Sequence, residues 1–327
     1  SILSIDKNSN IIKEEIIENQ FINQNYSGAV YSLISASLNK YALSFGARLE
    51  YLNNRSESDS VVSNSYFKLI PSVHLKKQVS ERYSWQGSFT ARTTPPNYKQ
   101  LNPISLSFGN YTKSSGNPYL KPEFFYQLEW NNHWKLENSN FVGTLFFRNQ
   151  TDIIGRWFYL ESEDGKEVTN SKYENLGELR TFGIDFSSML NIGKFKLRPS
   201  VVAFYNQLNG DKFSSTLDRN EVSYTLKLAG NYQLNKKVNI QCTGNYSSPI
   251  ISVYGKQYGY YKVDAGVRAK VLRNKATVSL KVMDIFDSYN FDKIMNQRED
   301  MLRTSHINPN SLLLYMNFSY QFNSCLL

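Results

Sequence analysis

The stretch Tyr41-Ala42-Leu43-Ser44-Phe45-Gly46-Ala47-Arg48-Leu49-Glu50-Tyr51 alternates between two kinds of side chain along its whole length. Tyr41, Leu43, Phe45, Ala47, Leu49 and Tyr51 fall on one face, and Ala42, Ser44, Gly46, Arg48 and Glu50 on the other. Successive side chains of a β-strand point to opposite sides, so this segment needs an apolar medium on one side and water on the other. The same beat returns at Val222, Tyr224, Leu226 and Leu228 against Glu221, Ser223, Thr225 and Lys227. It returns again at Tyr261, Val263, Ala265 and Val267 against Lys262, Asp264, Gly266 and Arg268. Repeated along a long chain, with aromatic residues near the segment ends, the pattern predicts an all-β protein: a transmembrane antiparallel β-barrel.

Composition points the same way. The chain has 327 residues, 41% hydrophobic, with mean hydropathy −0.46. No apolar run approaches the roughly 18 residues of a spanning helix. Its 23 Tyr and 20 Phe suit the aromatic girdles that barrels carry at both bilayer interfaces. The formal net charge is +9, but Lys and Arg are scattered over turns, loops and polar faces, so no nucleic-acid partner is expected. Cys242 falls on the apolar face of its segment and Cys325 lies beyond the last one, and no disulfide is expected between them. Residues 1–10 lack the basic start and apolar run of an export signal. A mature or truncated chain is therefore expected.

Thirteen spans can be placed, at 26–38, 41–52, 66–76, 83–92, 124–134, 141–151, 179–192, 195–207, 221–234, 238–248, 260–272, 276–286 and 312–322. Most match the roughly 9–11 tilted residues that cross a bilayer, with a small overhang. Their connections alternate between two classes. Tight turns rich in Asn, Gly, Lys and Glu fall at 39–40, 78–81, 137–140, 193–194, 235–237 and 273–275. Longer loops fall at 53–65, 93–123, 152–178, 208–220, 249–259 and 287–311. In outer-membrane barrels turns face the periplasm and loops the exterior, which orients the chain with its C-terminus periplasmic. Bacterial single-chain barrels have even strand numbers, so an odd count leaves unpaired backbone at an edge and reads as the C-terminal part of a larger barrel. Residues 11–21 have a spacing that fits neither a lipid-facing strand nor a long helix. Accordingly, 1–25 are expected to be an extracellular loop remnant, 26–322 the barrel portion and 323–327 a short periplasmic tail.

The segment Gly116-Asn117-Pro118-Tyr119-Leu120-Lys121-Pro122-Glu123 is similar to the N-P-x-L-K-P-E stretch of TonB-dependent outer-membrane receptors. Upstream, Arg92-Thr93-Thr94-Pro95-Pro96-Asn97-Tyr98-Lys99-Gln100-Leu101-Asn102-Pro103 resembles their R-x-x-x-P-x-Y-x-x-L-N-P stretch. The likeness is greatest to the outer-membrane β-barrel branch common in Bacteroidetes. Asn175 and Gly177, followed by Gly183 and Asp185, match the N-x-G and G-x-E/D pair after a later loop. Asp284-Ile285-Phe286-Asp287 resembles a late-strand D-I-F-N element. The resemblance implies a barrel of about 22 strands closed by a plug, because so wide an open lumen would leak. It also implies import of a scarce, bulky solute, powered through the plug by the TonB complex of the inner membrane. The partners implied are the plug domain, that complex, a solute, and outer-membrane lipid with lipopolysaccharide. No cofactor is implied. Physically, the motif residues read as strand-start devices: prolines at 118 and 122 push Asn117 and Lys121 toward extended geometry, and Gly116 permits the preceding turn.

Catalytic patterns are missing from the sequence. His74, His133 and His306 have no ligand-spaced Cys or carboxylate beside them, and neither a nucleophile elbow nor a phosphate-binding glycine loop occurs. The acidic run Glu161, Glu163, Asp164 and Glu167 around Gly165 reads as a solvated hairpin tip. The expected role is not enzymatic. Candidate ligand contacts are the loop aromatics Tyr98, Tyr111, Trp157, Phe158, Tyr159 and Tyr254, which suit either stacking on a solute or the outer interfacial girdle. The two-residue period places Arg48, Glu50, Lys68, His74, Glu129, Asp185, Lys196, Arg198, Lys227, Asp264, Arg268 and Lys270 on the water-facing side. A plug-less porin or a purely structural barrel remains the alternative function.

Overall fold

A computed structural model of the 327-residue chain describes residues 2–5, 11–15, 20–58, 60–109, 111–163, 165–210, 218–298 and 301–322. The expected tail at 323–327, Cys325 and Asp164 lie outside the described residues. Thirteen strands form one sheet, the number that the alternation predicts. They are β1 (Ile22–Leu38), β2 (Tyr41–Glu57), β3 (Val61–Ser80), β4 (Tyr83–Thr94), β5 (Glu123–Lys135), β6 (Ser139–Thr151) and β7 (Glu178–Ile192). The sheet continues with β8 (Phe195–Asn209), β9 (Arg219–Gln233), β10 (Val238–Ser247), β11 (Tyr260–Val271), β12 (Ala276–Met283) and β13 (Leu313–Tyr320). Every strand pairs antiparallel with its predecessor in this order, an uninterrupted meander whose edges are β1 and β13.

Register carries the two-sided pattern across the sheet. Ser44, His74, Ser88, Glu129, Phe146, Gly183, Phe204 and Ser223 lie opposite one another over eight strands. The adjoining row is Leu43, Leu75, Gly87, Trp130, Leu145, Ile184, Ala203 and Tyr224. Directly opposed residues of antiparallel strands share a face. Followed strand by strand, the pairing puts all twelve expected water-facing residues on one side. That side is concave: in β7, Phe182, Ile184 and Phe186 are exposed, while Thr181, Gly183 and Asp185 between them are half-buried. Outward-facing aromatics gather near the turn rim, where Tyr83 stacks on Trp134 at 5.6 Å and Phe195 meets Tyr232 at 4.6 Å. Lys77 lies 4.7 Å above the Tyr41 ring at the same level. Cys242 is a free, exposed cysteine on that outward face, opposite Gly230 and Ala265.

The tight turns use left-handed backbone where the residues permit it. Asn39 has φ 51° and Gly193 φ 57°, as two-residue hairpin turns require. The long connections differ from the expected plain loops. Residues 53–57 and 61–65 continue β2 and β3, which stay paired out to Glu57 and Val61. Apart from Val61 and Val62 both faces are polar there, so the alternating hydrophobic signal vanishes while the backbone ladder goes on. Side-chain bonds such as Asn53 Nδ2 to Ser65 Oγ (2.8 Å) and Asn23 Nδ2 to Ser56 Oγ (3.0 Å) lace the extension. Two four-stranded sheets stand above the loop rim. One joins Ile154–Glu163, Lys166–Asn175, Thr112–Ser115 and Leu106–Ser107 in that order. The other joins Ile250–Ser252, Gly255–Gln257, Phe291–Arg298 and Met301–Ile307. Near the start of the chain, Ile2–Ile5 and Ile11–Glu15 pair as a separate two-stranded ribbon. The main sheet begins at Ile22, four residues ahead of the expected start.

Candidate ligand-binding mouth

The loop rim is assembled on a seam in the sheet. Pro71 sits in β3, and the β3–β4 ladder stops beside it at Ser72–Thr90, while β2–β3 pairing continues. Proline has no N–H to offer a ladder. The Asn117–Pro122 segment docks along the freed length of β3. Asn64 Nδ2 donates to the Pro118 carbonyl (2.7 Å) and the Tyr66 hydroxyl to the Leu120 carbonyl (3.3 Å). Farther along, Thr93 Oγ1 donates to Glu50 (2.9 Å) and Lys68 lies 4.1 Å above the Phe124 ring.

The motif residues tie loops together. A four-residue helix, Tyr98–Leu101, is started by a capping box between Asn97 and Gln100. Gly116 N–H and Asn117 N–H then donate to the carbonyls of Asn102 and Gln100, both at 2.6 Å. A Cβ on Gly116 would stand 2.5 Å from the Gln100 carbonyl, so only glycine allows this approach. Asn117 Nδ2 donates to Glu174 (2.8 Å), and Leu120 and Pro122 are buried. Asn175 is the central clamp. Its Nδ2 donates to the carbonyls of Lys121 (3.0 Å) and Asp152 (2.8 Å), and its Oδ1 accepts from Lys121 N–H (3.0 Å). Glu123 accepts from the Ile154 N–H (2.6 Å) and from Gln150 Nε2 (3.3 Å). Gly177 has φ +143°, and a Cβ there would lie 2.1 Å from the Asn209 carbonyl oxygen. Gly183 and Asp185 lie lower, on the concave face of β7, and the Phe146 ring covers Gly183.

Two apolar clusters hold these connections over the lumen edge. Leu101, Leu120 and Ile154 form one, with Phe21 and Tyr173 against it. Ile153, Leu176, Leu208, Ile251 and Val253 form the other, with Trp157 and Leu179 against it. Beyond β12, Asp284 is fully buried and closes a turn. Burial pushes its carboxyl up, but bonds from the Ser311 hydroxyl, the Tyr289 and Ser288 N–H groups and the Ser288 hydroxyl outweigh it, holding the group below the ordinary carboxylate range. Phe286, two residues on, is exposed.

The six candidate aromatics do not form one cluster. Tyr98 is exposed and packs on Phe21 at 5.1 Å, and Tyr111 is exposed just before the strand Thr112–Ser115, its carbonyl accepting from Thr169 N–H at 2.9 Å. Trp157 is half-buried in the apolar cluster, and the Arg303 guanidinium lies 5.8 Å from the Phe158 ring. Tyr159 is half-buried, paired with Asn170 in the hairpin. Tyr254 has the most polar surroundings. Burial raises its phenol above the usual value, Tyr173 and Glu123 raise it further, and Arg156 opposes them. Arg156 Nε donates to the Tyr173 hydroxyl (3.1 Å). Arg156 and Tyr173 escaped the sequence reading, yet a hairpin with its tip at 164–165 already pairs 156 with 173. This group brings a flat cation and phenol hydroxyls together at the loop rim.

A hollow of about 490 Å³ opens nearby, lined by Arg219, Asn220, Glu221, Ile251, Lys256, Tyr258 and Ile294. Lys256 and Glu221 pair across it at 2.5 Å. A larger hollow of about 860 Å³ lies far from the mouth, over β3 to β8, walled mainly by outward side chains such as Trp85, Trp130, Phe147 and Phe182. Those walls lie on the outward face, so the hollow is a groove of the outer surface rather than part of the mouth. Among the described residues, no three His, Cys, Asp or Glu side chains gather to hold a metal.

The fold is shared with known proteins. The chain aligns with the ferric-catecholate import receptor Fiu from K12 E. coli at TM-score 0.60 and 16% identity, covering 91% of this chain and 45% of that one. The copper transporter OprC aligns at TM-score 0.65 and 13% identity, covering 92% and 48%. The ferric yersiniabactin uptake receptor FyuA from Yersinia pestis aligns at 0.64 and 9%, covering 93% and 47%. Identities this low speak for the fold alone. The chain spans about half the length of each of these structures. No curated protein matches the sequence. The family model described as the outer membrane protein beta-barrel family matches residues 2–320, nearly all of this chain, and its sheet has the two-sided register such a wall requires. The chain therefore belongs to the outer membrane protein β-barrel family, and its place is the outer membrane.

Proposed function

We propose that this chain is the C-terminal barrel portion of a TonB-dependent receptor that imports a scarce, bulky solute such as a siderophore, glycan, cofactor or peptide. The observation that carries this is the contrast between the two rims. One is bare two- to four-residue turns; the other is a folded superstructure with its own sheets, apolar clusters and the Asn175 clamp. A diffusion pore needs no such ordered mouth, whereas a receptor that selects its solute before passing it does. The rest of the wall, the plug and contact with the energising complex belong to the remainder of the protein under this proposal. Loops outward, C-terminus periplasmic, and lipopolysaccharide around the outer rim complete it. Its role is carriage rather than catalysis.

The long connections 93–123, 152–178 and 287–311 would close over the solute. The test is uptake of the cognate solute by cells expressing the full-length protein, with and without the inner-membrane energising complex. Loss of uptake without that complex is expected. Undiminished uptake would leave the plug-less porin.

A further inference from the structure

The wall is not laddered evenly from rim to rim. β2 and β3 stay paired from Tyr41–Lys77 to Glu57–Val61, and β4 and β5 from Tyr83–Trp134 to Thr94–Glu123. β3 and β4, by contrast, part above Ser72–Thr90. Among the described residues, no backbone bond joins Val61–Pro71 to anything on the side away from β2. Phe67 and Leu69 lie above the break, outward and exposed, opposite Tyr51 and Leu49. The break therefore falls inside the apolar band, where unpaired backbone is costly. Thr93 and Phe124 are outward positions, on the face of Phe89 and Leu128, and Phe89 stands opposite Val73. Glu50 and Lys68 are inward positions, opposite each other on β2 and β3. Yet Thr93 Oγ1 donates to Glu50 at 2.9 Å, and Lys68 lies 4.1 Å above the Phe124 ring. An outward side chain meets an inward one across a seam only where its strand has stepped to the lumen side of its neighbour. Above Ser72 the sheet is lapped, with β2 and β3 outside and the ends of β4 and β5 inside.

We propose that this lapped joint is a hinge in the wall and that residues 117–122 are its latch. Seated, they hold β3 against the ends of β4 and β5. Withdrawn, they let the upper parts of β1 to β3 swing outward from β4 about the level of Pro71, together with whatever strand pairs with β1. Three features suit this. The bonds from β3 to the latch come from side chains, Asn64 to the Pro118 carbonyl and Tyr66 to the Leu120 carbonyl, so it can leave without breaking a ladder. Both donors are inward positions, opposite Asn54 and Leu52, so the latch sits on the lumen side and withdraws toward the mouth. Pro71 has no N–H with which β3 could extend its ladder to β4 and close the joint in the latch's place. The latch is also connected to the mouth: Asn175 grips Lys121 at both its N–H and its carbonyl, so a shift of the 152–178 connection pulls on it. The inference rests on the outward face meeting lipid and owes nothing to the import role.

Distances between nitroxide labels read the joint directly. In the full-length protein in lipid, with native cysteines replaced by alanine, one label is attached through Leu145→Cys on β6. The second is attached through Val30→Cys, in the row of Leu49 and Leu69 above the break, or through Ala36→Cys, in the row of Leu43 and Leu75 below it. Pulsed electron resonance should give one narrow distance for each pair while the latch is seated. Asn64→Ala with Tyr66→Phe removes the latch bonds, and the 30–145 distance should then lengthen by about one strand spacing, roughly 5 Å, with 36–145 unchanged. Thr93→Val loosens the same joint without touching the latch, and should broaden 30–145 alone even if the double variant does not fold. Asn53→Ala, which loses a bond to Ser65 elsewhere on the β2–β3 extension, should move neither distance. An unchanged 30–145 distance in both joint variants would overturn the hinge. So would an equal change at 36–145, or an equal shift in Asn53→Ala, since the whole wall or the whole extension would then be loosening. A 30–145 distribution already broad in the unaltered protein would show that residues 117–122 do not hold the joint. None of these results needs solute or energy, so the transport proposal stands or falls separately.

Discussion

Changing Asn175 to Ala removes three hydrogen bonds at once, two donated to the carbonyls of Lys121 and Asp152 and one accepted from Lys121 N–H. Each bond is worth about 0.5–1.5 kcal/mol net. Lys121 is exposed, so water replaces part of what is lost there, and the Asp152 contact, half-buried, is the costliest. The expected penalty is about 1.5–3 kcal/mol, confined to the junction of the 93–123 and 152–178 connections. Asn175→Asp should be no better than Ala, since it keeps the acceptor but turns a carboxylate toward two carbonyl oxygens. Hydrogen exchange in the full-length protein checks this: Lys121 N–H should lose protection by roughly 10- to 100-fold while strand amides such as Leu145 hold theirs. Unchanged exchange at Lys121 would refute the clamp. Equal loss along β5 to β7 would refute its local character.

Gly177→Ala should open the Ile153–Leu208 cluster, since the residue has φ +143° and its Cβ would strike a backbone oxygen. A cost of about 2–5 kcal/mol is expected, seen as faster proteolysis within 152–178 and unchanged strand content. Because the Asp284 carboxyl is held below its ordinary value, its contribution is full at neutral pH and lost as pH falls through that depressed folded-state value. A fluorine label on Tyr289 should broaden over that range, and Asp284→Asn should broaden it already at pH 7. Leu145→Arg puts a charge on the outward face and should cost about 2–4 kcal/mol of folding stability in bilayers, whereas Thr144→Arg, one residue away and inward, should cost less than 1 kcal/mol. Equal costs would mean the two faces are not distinguished by lipid and water.

The barrel wall was legible because each strand is solvated differently on its two sides, and that difference is written residue by residue. Tyr41 to Tyr51 shows it without help from any other segment. The signal stops where both faces meet water. Residues 53–57 and 61–65 are strand in fact, but Asn53, Asn54, Ser63 and Ser65 carry no apolar beat to mark it. The mouth was legible only through its punctuation: the prolines at 118 and 122, Gly177, and the glycine at 165 that sets the 156–173 pairing. Partners across loops, such as Asn64 with Pro118 and Asn117 with Glu174, join residues more than fifty positions apart, and no local pattern encodes them. Pro71 was readable as a residue, but its effect appears only once β4 is known to be its neighbour.

The most direct test of the account is a spin-label scan along β6 in the full-length protein reconstituted in lipid, one label at a time from 140 to 148. Labels at 141, 143, 145 and 147 should be accessible to oxygen dissolved in the bilayer, and those at 140, 142, 144, 146 and 148 to a water-soluble nickel chelate or shielded from both, with a strict period of two. A flat profile, or lipid exposure at 144 and 148 with water at 145, would contradict the assignment of the polar face to the lumen and with it the barrel.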